Sequence, residues 1–212
     1  MGIKVVFFDC DGTLTKVKSS WEYLHRRLGI WDNHADEYQR LFGQGLIDYD
    51  EFCRRDALLW KGFALREIME MVNEIPYQDG VKEAVAALKQ MGISTAIIST
   101  GLSFVVARAK AELGIDMAVS NELLTDRGLL TGETRINVPY GHKGYWVESF
   151  LNSLGVDRLS SCAVGDGEGD REMFEAVGLA IGLDPEPSVG SLLAHTITDG
   201  DMLRLVDILQ EA

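Results

Sequence analysis

Two aspartates, Asp9 and Asp11, follow the first apolar run of the sequence, which spans residues 3–8. Side chains two positions apart point to the same side of an extended chain, so both carboxylates are expected at the carboxyl end of one strand. Two anions so close among apolar residues are costly without a cation, and a divalent metal ion is the simplest explanation. Taken alone, the pair fits an acidic turn equally well, with Gly12 allowing the bend.

Two further polar groups stand where an apolar run or a helical pattern begins or ends. Ser99 and Thr100 follow an apolar run and precede Gly101. Hydroxyl and backbone N–H groups at a helix start can hold phosphate oxygens, although a serine there is also typical of a helix cap. Lys143 begins a helical pattern, where the helix macrodipole disfavours a cation. A nearby anion would therefore explain it, and a solvated surface lysine is the alternative.

A last acidic group lies in a glycine-rich loop. Asp166 and Asp170 follow an apolar run and are interleaved with Gly165, Gly167 and Gly169. Carboxylates supply hard oxygen ligands, and glycines allow a close approach of the backbone. An ordinary turn needs neither that much glycine nor that much like charge, so the loop favours a metal site.

The spacing of the apolar residues predicts the elements that must position these groups. Strands are predicted at residues 3–8, 93–99, 117–120, 161–164, 179–181 and 195–197. Helices are predicted at residues 80–91, 102–113, 143–154, 171–177 and 201–209. Alternating strands and helices imply right-handed βαβ crossovers. The predicted fold class is therefore α/β, a Rossmann-like doubly wound parallel sheet, which binds ligands at the carboxyl ends of its strands.

Two segments interrupt this alternation. Residues 16–76 hold amphipathic stretches without a strand pattern, so we predict a small helical cap domain inserted after the first strand. Its helices are expected at residues 20–28, 35–42, 49–60 and 65–73. The core domain then comprises residues 1–15 and 77–212. The second interruption, residues 121–138, contains the turn sequence Asp126-Arg127-Gly128 and predicts a β-hairpin.

Composition limits the classes of partner. The 212-residue chain is 46% hydrophobic and 25% charged, as is usual for soluble globular proteins, and carries a formal net charge of −13. That charge argues against a nucleic-acid partner. Residues 90–107 are uncharged but contain too many glycine, serine and threonine residues for a membrane span, and no signal peptide is visible. Three cysteines without metal-ligand spacing indicate reduced thiols and a cytoplasmic protein. A monomer and a homodimer both remain open.

In chain order, the polar groups read Asp-x-Asp, Ser/Thr, Lys and Gly-Asp-Gly-x-x-Asp. This pattern resembles the haloacid-dehalogenase (HAD) superfamily over essentially the whole chain, and the insertion after the first motif resembles its phosphoserine phosphatase branch. The resemblance implies a Mg²⁺-dependent phosphoric monoester hydrolase. Such an enzyme forms a phospho-aspartate intermediate and acts on a small phosphorylated metabolite.

The resemblance also implies a role for each motif residue. Asp9 is the nucleophile, and Asp11 is the general acid and then the base that activates water. Mg²⁺ is held by the Asp9 carboxylate, the Asp11 backbone carbonyl and Asp166. Asp170 supports the metal shell and orients Lys143. The phosphoryl oxygens are bound by Ser99, Lys143 and backbone N–H groups near Asp11, Gly12 and Thr100.

Substrate choice is expected to lie in the cap. Arg55, with Arg54 beside it, matches the arginine that binds the substrate carboxylate in phosphoserine phosphatases, and Tyr49 matches an aromatic position of that cap. L-Phosphoserine is therefore the best single substrate. Lys18, however, falls near the position of the family's ammonium-binding glutamate. A Lys18 that faces the site favours a more anionic substrate without an ammonium group, and a solvated loop lysine is the alternative.

Other protein classes share parts of this pattern. A phospho-accepting receiver module also combines carboxylates, Mg²⁺, Ser/Thr and Lys, but it is shorter and has no large helical insertion. A phosphotransferase or phosphomutase of the same superfamily would keep the core and recycle a bisphosphate under its cap. Asp11 favours a phosphatase or phosphomutase over a dehalogenase, because relatives that cleave carbon–halogen bonds lack an aspartate at that position.

Overall fold

The computed structural model describes residues 2–211, with the exception of the Asn33 side chain. These residues form a seven-stranded sheet with the order β4-β3-β2-β1-β5-β6-β7. The strands are β1 (Val5–Phe8), β2 (Ser94–Leu102), β3 (Met117–Asp126), β4 (Leu129–Arg135), β5 (Ser161–Gly165), β6 (Leu179–Leu183) and β7 (His195–Ile197). Only the β3–β4 pair is antiparallel among the described strands. The predicted α/β class and the predicted hairpin are both confirmed.

The central strand β1 is apolar throughout because it is covered on both faces. Val6 and Phe8 belong to one hydrophobic cluster, whereas Val5 and Phe7 belong to another. Side chains that alternate between two covered faces leave no place for polar residues. The near-continuous apolar run at residues 3–8 follows from this burial.

Five helices of the described residues cover the two faces of the sheet. They are α5 (Val81–Gln90), α6 (Ser103–Leu113), α7 (Lys143–Leu154), α8 (Arg171–Glu175) and α9 (Leu203–Glu211). Helices α5, α6 and α9 pack on the face that bears Val6 and Phe8, and α7 and α8 pack on the other. Crossover helices on both faces are the arrangement that a doubly wound parallel sheet requires.

Within the described chain, residues 16–76 contain four α-helices and one turn of π-helix, Trp31–Ala35. The α-helices are α1 (Ser20–Arg27), α2 (Asp36–Gly43), α3 (Tyr49–Leu59) and α4 (Leu65–Asn73). Each covers one of the amphipathic stretches found in the sequence, and backbone bonds such as Gly62 N to Leu130 O (2.9 Å) join the segment to the β3–β4 hairpin. The division into a core and a cap domain stays a prediction.

Buried aromatic and polar side chains form the interior of the helical segment. Trp21 stacks on Trp60 with 5.2 Å between ring centroids. The Trp60 indole N–H donates to His25 Nδ1 at 3.1 Å. His25 Nε2 lies 3.3 Å from a carboxylate oxygen of Asp56, and both residues are buried. Because Nδ1 accepts this bond, the neutral imidazole carries its proton on Nε2, facing Asp56.

Two further sequence-based expectations concern the cysteines and a membrane-spanning segment. The three cysteines, for which the sequence predicts reduced thiols, are free, and all three are buried. Within residues 2–211, no helix combines the length and the apolar character that crossing a membrane requires.

Candidate active site

The carboxyl ends of three neighbouring strands bring the predicted residues to one edge of the sheet. Phe8 pairs in register with Ile97 of β2 and with Val164 of β5. Asp9 follows Phe8 directly, while Ser99 and Asp166 lie two residues beyond their paired positions. Parallel register therefore brings together residues that lie far apart in the sequence. This edge is where open α/β sheets place their ligands.

Lys143 is the cation at the centre of this edge. Its side chain is fully enclosed, and Nζ lies 2.6 Å from an oxygen of Asp9 and 2.6 Å from an oxygen of Asp170. Burial lowers the pKa of Lys143, but attraction to Asp170 and Asp9 outweighs it and leaves the pKa above its usual value. The unfavourable position at a helix start is thus explained by two anions.

Asp9, which is buried, and Asp11, which is partly buried, are carboxyl groups with different partners. Burial raises the pKa of Asp9 well above its usual range, and the charge of Lys143 opposes that rise. Asp11 points instead to the first turn of α1, where its carboxylate accepts a bond from Ser20 N at 2.7 Å. Burial raises the pKa of Asp11 as well, against the hydrogen bonds from Ser20. A carboxyl group with a raised pKa suits a residue that gives and takes a proton near neutrality.

Asp170 organises the loop that carries Asp166. One Asp170 oxygen accepts bonds from Asp166 N at 2.9 Å and Gly167 N at 3.2 Å, while the other binds Lys143. Gly165 permits this close approach, because a Cβ atom there would collide with the Asp170 carboxylate. Asp170 therefore holds both the lysine and the backbone of the acidic loop.

Asp9, Asp166 and Asp170 form a compact group of carboxylates. One oxygen from each lies within 4.8 Å of the others. Burial raises the pKa of Asp166 to about 6, although a hydrogen bond from Lys18 opposes the rise. Hard oxygen donors at this spacing, together carrying more negative charge than Lys143 neutralises, fit a divalent cation such as Mg²⁺. The Asp11 carboxylate is not part of this group.

The close packing of Gly12 against the Asp166 carboxylate requires a glycine, and this requirement can be tested by substitution. Its φ is +82°, and a Cβ atom there would collide with the Asp166 carboxylate. Gly12→Ala is expected to shift Asp166 and weaken Mg²⁺ binding by about tenfold or more, about 1.4 kcal/mol. Calorimetric titration of the substrate-free protein with Mg²⁺ measures this change.

Gly29→Ala is the matched control for that substitution. Gly29 has a similar φ of +68°, but a Cβ atom there meets nothing within 4 Å. Both substitutions carry the cost of a left-handed alanine, about 1–2 kcal/mol of stability. Only Gly12→Ala should change the Mg²⁺ dissociation constant, and equal constants in the two variants would contradict the assigned contact with Asp166.

The predicted phosphate-binding residues occupy different positions around the site. Ser99 is buried, and its hydroxyl accepts a bond from Gly101 N at 3.0 Å. Helix α6 begins only at Ser103 and has no side-chain cap, so the alternative of Ser99 as a helix cap is wrong. Thr100 and Lys143 line the cavity at this edge, whereas Ser99 and Gly12 lie in the segments beside it.

The cap residues separate into two groups. Tyr49 and Lys18 line the cavity: the Tyr49 hydroxyl donates to Thr100 O at 2.7 Å, and Lys18 Nζ lies 2.6 Å from Asp166. Lys18 therefore faces the site. Arg54 and Arg55 do not line the cavity, because both guanidinium groups bind Glu51 on their own helix, at 2.8 and 2.7 Å. The structure does not bring these two arginines to the site.

The cavity, about 270 Å³ in volume, contains residues that the sequence analysis did not identify. An aromatic wall faces the carboxylates and consists of Trp21, Phe42, Phe52 and Tyr140, together with Tyr49. Glu168 and Glu186 lie at its acidic side. Aromatic residues at helical spacing are usually core residues, so their periodicity could not reveal a ligand wall.

Comparison with known proteins identifies the family. Residues 6–175 match the family model described as haloacid dehalogenase-like hydrolase. Phosphoserine phosphatase of Halobacterium salinarum is 30% identical over 206 residues, covering 96% of this chain and 97% of the relative. The Archaeoglobus fulgidus phosphoserine phosphatase is 29% identical over 98% of this chain, which spans only 60% of that relative's length. The chain belongs to the haloacid dehalogenase-like hydrolase family.

Solved structures show the same fold. A phosphoserine phosphatase with a phospho-aspartyl intermediate analogue superposes with a TM-score of 0.86 at 24% identity, over 98% of this chain and 99% of that one. A HAD family hydrolase from Salmonella enterica gives a TM-score of 0.92 at 22% identity, over 99% of this chain and 72% of that one. At these identities the likeness shows the α/β fold alone.

Proposed function

We propose that this hydrolase is a Mg²⁺-dependent phosphomonoesterase that works through a phospho-aspartate on Asp9. The observation that carries the proposal is the buried pair of ion contacts from Lys143 to Asp9 and Asp170, with Asp166 beside them. A structural role does not require three carboxylates and one lysine at the edge of a sheet. Phosphoryl transfer does, because it depends on positioning and on charge stabilisation.

In the first half of the reaction, a carboxylate oxygen of Asp9 attacks phosphorus, and the bond from phosphorus to the alcohol oxygen breaks. Asp11 donates its proton to the departing oxygen, a role consistent with its raised pKa. Lys143 stays charged and lies 2.6 Å from Asp9, so it can stabilise the negative phosphoryl oxygens.

In the second half, water attacks the phospho-aspartate and Asp11 takes the proton of that water. The bond between phosphorus and the Asp9 oxygen breaks, which releases phosphate and restores the carboxylate. Mg²⁺, held by Asp9, Asp166 and the Asp11 carbonyl, would neutralise charge on the phosphoryl group. Asp170 keeps Lys143 and the acidic loop in place during both halves.

For the substrate we propose a small phosphorylated metabolite. The relatives' names make L-phosphoserine the first compound to test. Lys18 at the cavity favours phosphomonoesters that carry an anionic group but no ammonium, whereas the outward position of Arg54 and Arg55 removes the carboxylate contact expected for phosphoserine. A panel should therefore pair L-phosphoserine with carboxylate-bearing phosphomonoesters. Much faster turnover of L-phosphoserine would overturn the inference from Lys18.

An aryl phosphate assay tests the activity itself. Hydrolysis is expected with Mg²⁺, with a loss of about 100-fold or more in EDTA, because the charge that Mg²⁺ supplies is worth several kcal/mol to the transition state. Added Mg²⁺ should restore the rate. Protein quenched with acid during turnover should carry a phospho-aspartate, and this group should disappear once the substrate is exhausted. A long-lived phospho-aspartate without phosphate release would indicate a receiver module, and transfer to an added alcohol would indicate a phosphotransferase.

A further inference from the structure

Of the three clustered carboxylates, Asp166 is the one whose cationic partner is Lys18. Lys143 binds Asp9 and Asp170. Asp166 receives its cationic contact from Lys18, whose Nζ lies 2.6 Å from Oδ2. Among the described side chains, Lys18 and Lys143 are the lysines that line the cavity, and no arginine lines it. Lys18 thus neutralises the carboxylate that Lys143 does not reach.

This contact uses the same carboxylate that the proposed metal site needs. Asp166 is one of the three groups whose oxygens lie within 4.8 Å of one another. An ammonium and a divalent cation on one carboxylate repel each other by about 2 kcal/mol at 4 Å even in water. Lys18 and Mg²⁺ therefore compete for Asp166.

Lys18 can leave this carboxylate at low cost. Its side chain is 62% exposed, whereas that of Asp166 is 13% exposed. An ion pair with one solvated partner contributes little free energy, about 1 kcal/mol or less, because the ammonium regains water when it leaves. Its flexible stem also lets Nζ swing away without movement of the backbone. Lys143 is enclosed and has no such freedom.

We propose that Lys18 is a displaceable cation of the metal site. Lys18 pairs with Asp166, and a Mg²⁺ ion bound by that carboxylate would displace the ammonium to the mouth of the cavity. This inference rests on the proposed function, since it takes Asp166 as a metal ligand. Removal of the Lys18 charge should then strengthen Mg²⁺ binding, because a competing cation is lost while all metal ligands remain.

Calorimetric titration with Mg²⁺ alone, without substrate, tests the competition. Lys18→Met is expected to lower the Mg²⁺ dissociation constant about three- to tenfold. Lys16→Met is the matched control, because Lys16 lies two residues earlier and pairs with the exposed Asp79 at 2.8 Å. That variant should bind Mg²⁺ within about twofold of the unmodified chain, as expected for a screened surface charge.

Chemical labelling of the unmodified chain supplies a readout that does not depend on the variants. Acetylation of Lys18, followed by mass spectrometry, should become faster when Mg²⁺ is added, because the amine is no longer held by Asp166. Lys16 serves as the internal reference and should react at the same rate with and without Mg²⁺. Comparison of the two lysines also separates displacement of Lys18 from a general effect of Mg²⁺ on lysine reactivity.

The outcomes distinguish this inference from the proposed function. Equal Mg²⁺ affinity of Lys18→Met and the unmodified chain, or a Lys18 labelling rate that Mg²⁺ does not change, would overturn the displacement. Absence of Mg²⁺ binding and of Mg²⁺-dependent hydrolysis in all three proteins would instead overturn the metal site and the function proposed from it. Tighter binding by Lys18→Met together with faster Lys18 labelling in Mg²⁺ supports displacement.

Discussion

Asp9→Asn is expected to lower kcat for an aryl phosphate by about 10⁴-fold or more, since an amide cannot form the covalent intermediate. The fold should survive the change. Burial raises the pKa of Asp9, so its ionised form is costly in the folded protein. The neutral amide removes that cost, and Lys143 keeps its bond to Asp170. The melting temperature should therefore stay the same or rise.

Asp79→Asn is the matched control for the nucleophile. Asp79 is an exposed aspartate that pairs with Lys16 away from the cavity lining. Its replacement should leave kcat within about twofold, in line with the small effects of exposed ion pairs. Steady-state kinetics and acid-quenched protein labelled with phosphate give the two readouts. Wild-type turnover by Asp9→Asn would place the nucleophile elsewhere.

Lys143→Met is expected to cost about 3–5 kcal/mol of unfolding free energy, because it leaves buried carboxylates without their cation. Hydrolysis should fall as well, by about 10²-fold or more, since a charge that stabilises the phosphoryl oxygens is lost. Denaturant unfolding followed by circular dichroism measures the first effect. Lys82→Met, on the exposed side of α5, should leave both stability and kcat nearly unchanged.

The loss of unfolding free energy in Lys143→Met should depend on pH when unfolding is measured in EDTA. Burial already raises the pKa of Asp9 in the folded protein, and removal of the lysine charge raises it further. A carboxyl whose folded pKa exceeds its unfolded pKa makes the folded state bind more protons, so stability falls as the pH rises between the two values. The penalty should be absent below the unfolded pKa of about 4 and larger at neutral pH.

The double variant Lys143→Met with Asp9→Asn separates stability from catalysis. It removes one of the two carboxylates that Lys143 contacts. Part of the lost unfolding free energy should return, while hydrolysis should be no faster than in Asp9→Asn. A double variant that is no more stable than Lys143→Met would show that the lysine stabilises the fold by packing and not by charge.

Much of the architecture could be predicted because it follows from local patterns. Apolar runs such as residues 3–8 predict buried strands, and β1 is indeed covered on both faces. The cap helices follow from 3.6-residue periodicity, and the hairpin follows from the turn at Asp126-Arg127-Gly128. The ends were less predictable: β2 extends to Leu102, beyond the predicted end at Ser99. Such ends are decided by pairing with a neighbouring strand, and the sequence of one strand carries no information about that pairing.

The cap shows where local sequence information runs out. Arg54 and Arg55 match the family pattern, but Glu51 lies one helical turn away and takes both guanidinium groups. The sequence left both alternatives for Lys18 open, and the contact with Asp166, 148 positions along the chain, distinguishes them. The aromatic wall also forms only when Tyr140 of the core meets Phe42 of the cap. The Lys18 contact and the aromatic wall depend on which surfaces meet across the cavity, whereas the Glu51 contacts are local to α3.

By itself, the sequence determined the chemical groups of this hydrolase and the strand ends at which they stand. Asp9, Ser99 and Asp166 share one edge of the sheet because parallel strands align their carboxyl ends. Only the tertiary structure decided that Lys143 bridges Asp9 and Asp170 and that Lys18 faces Asp166. The physical reason is that periodicity and propensity act between near neighbours, whereas the pairing of charges depends on distances that only the folded chain defines.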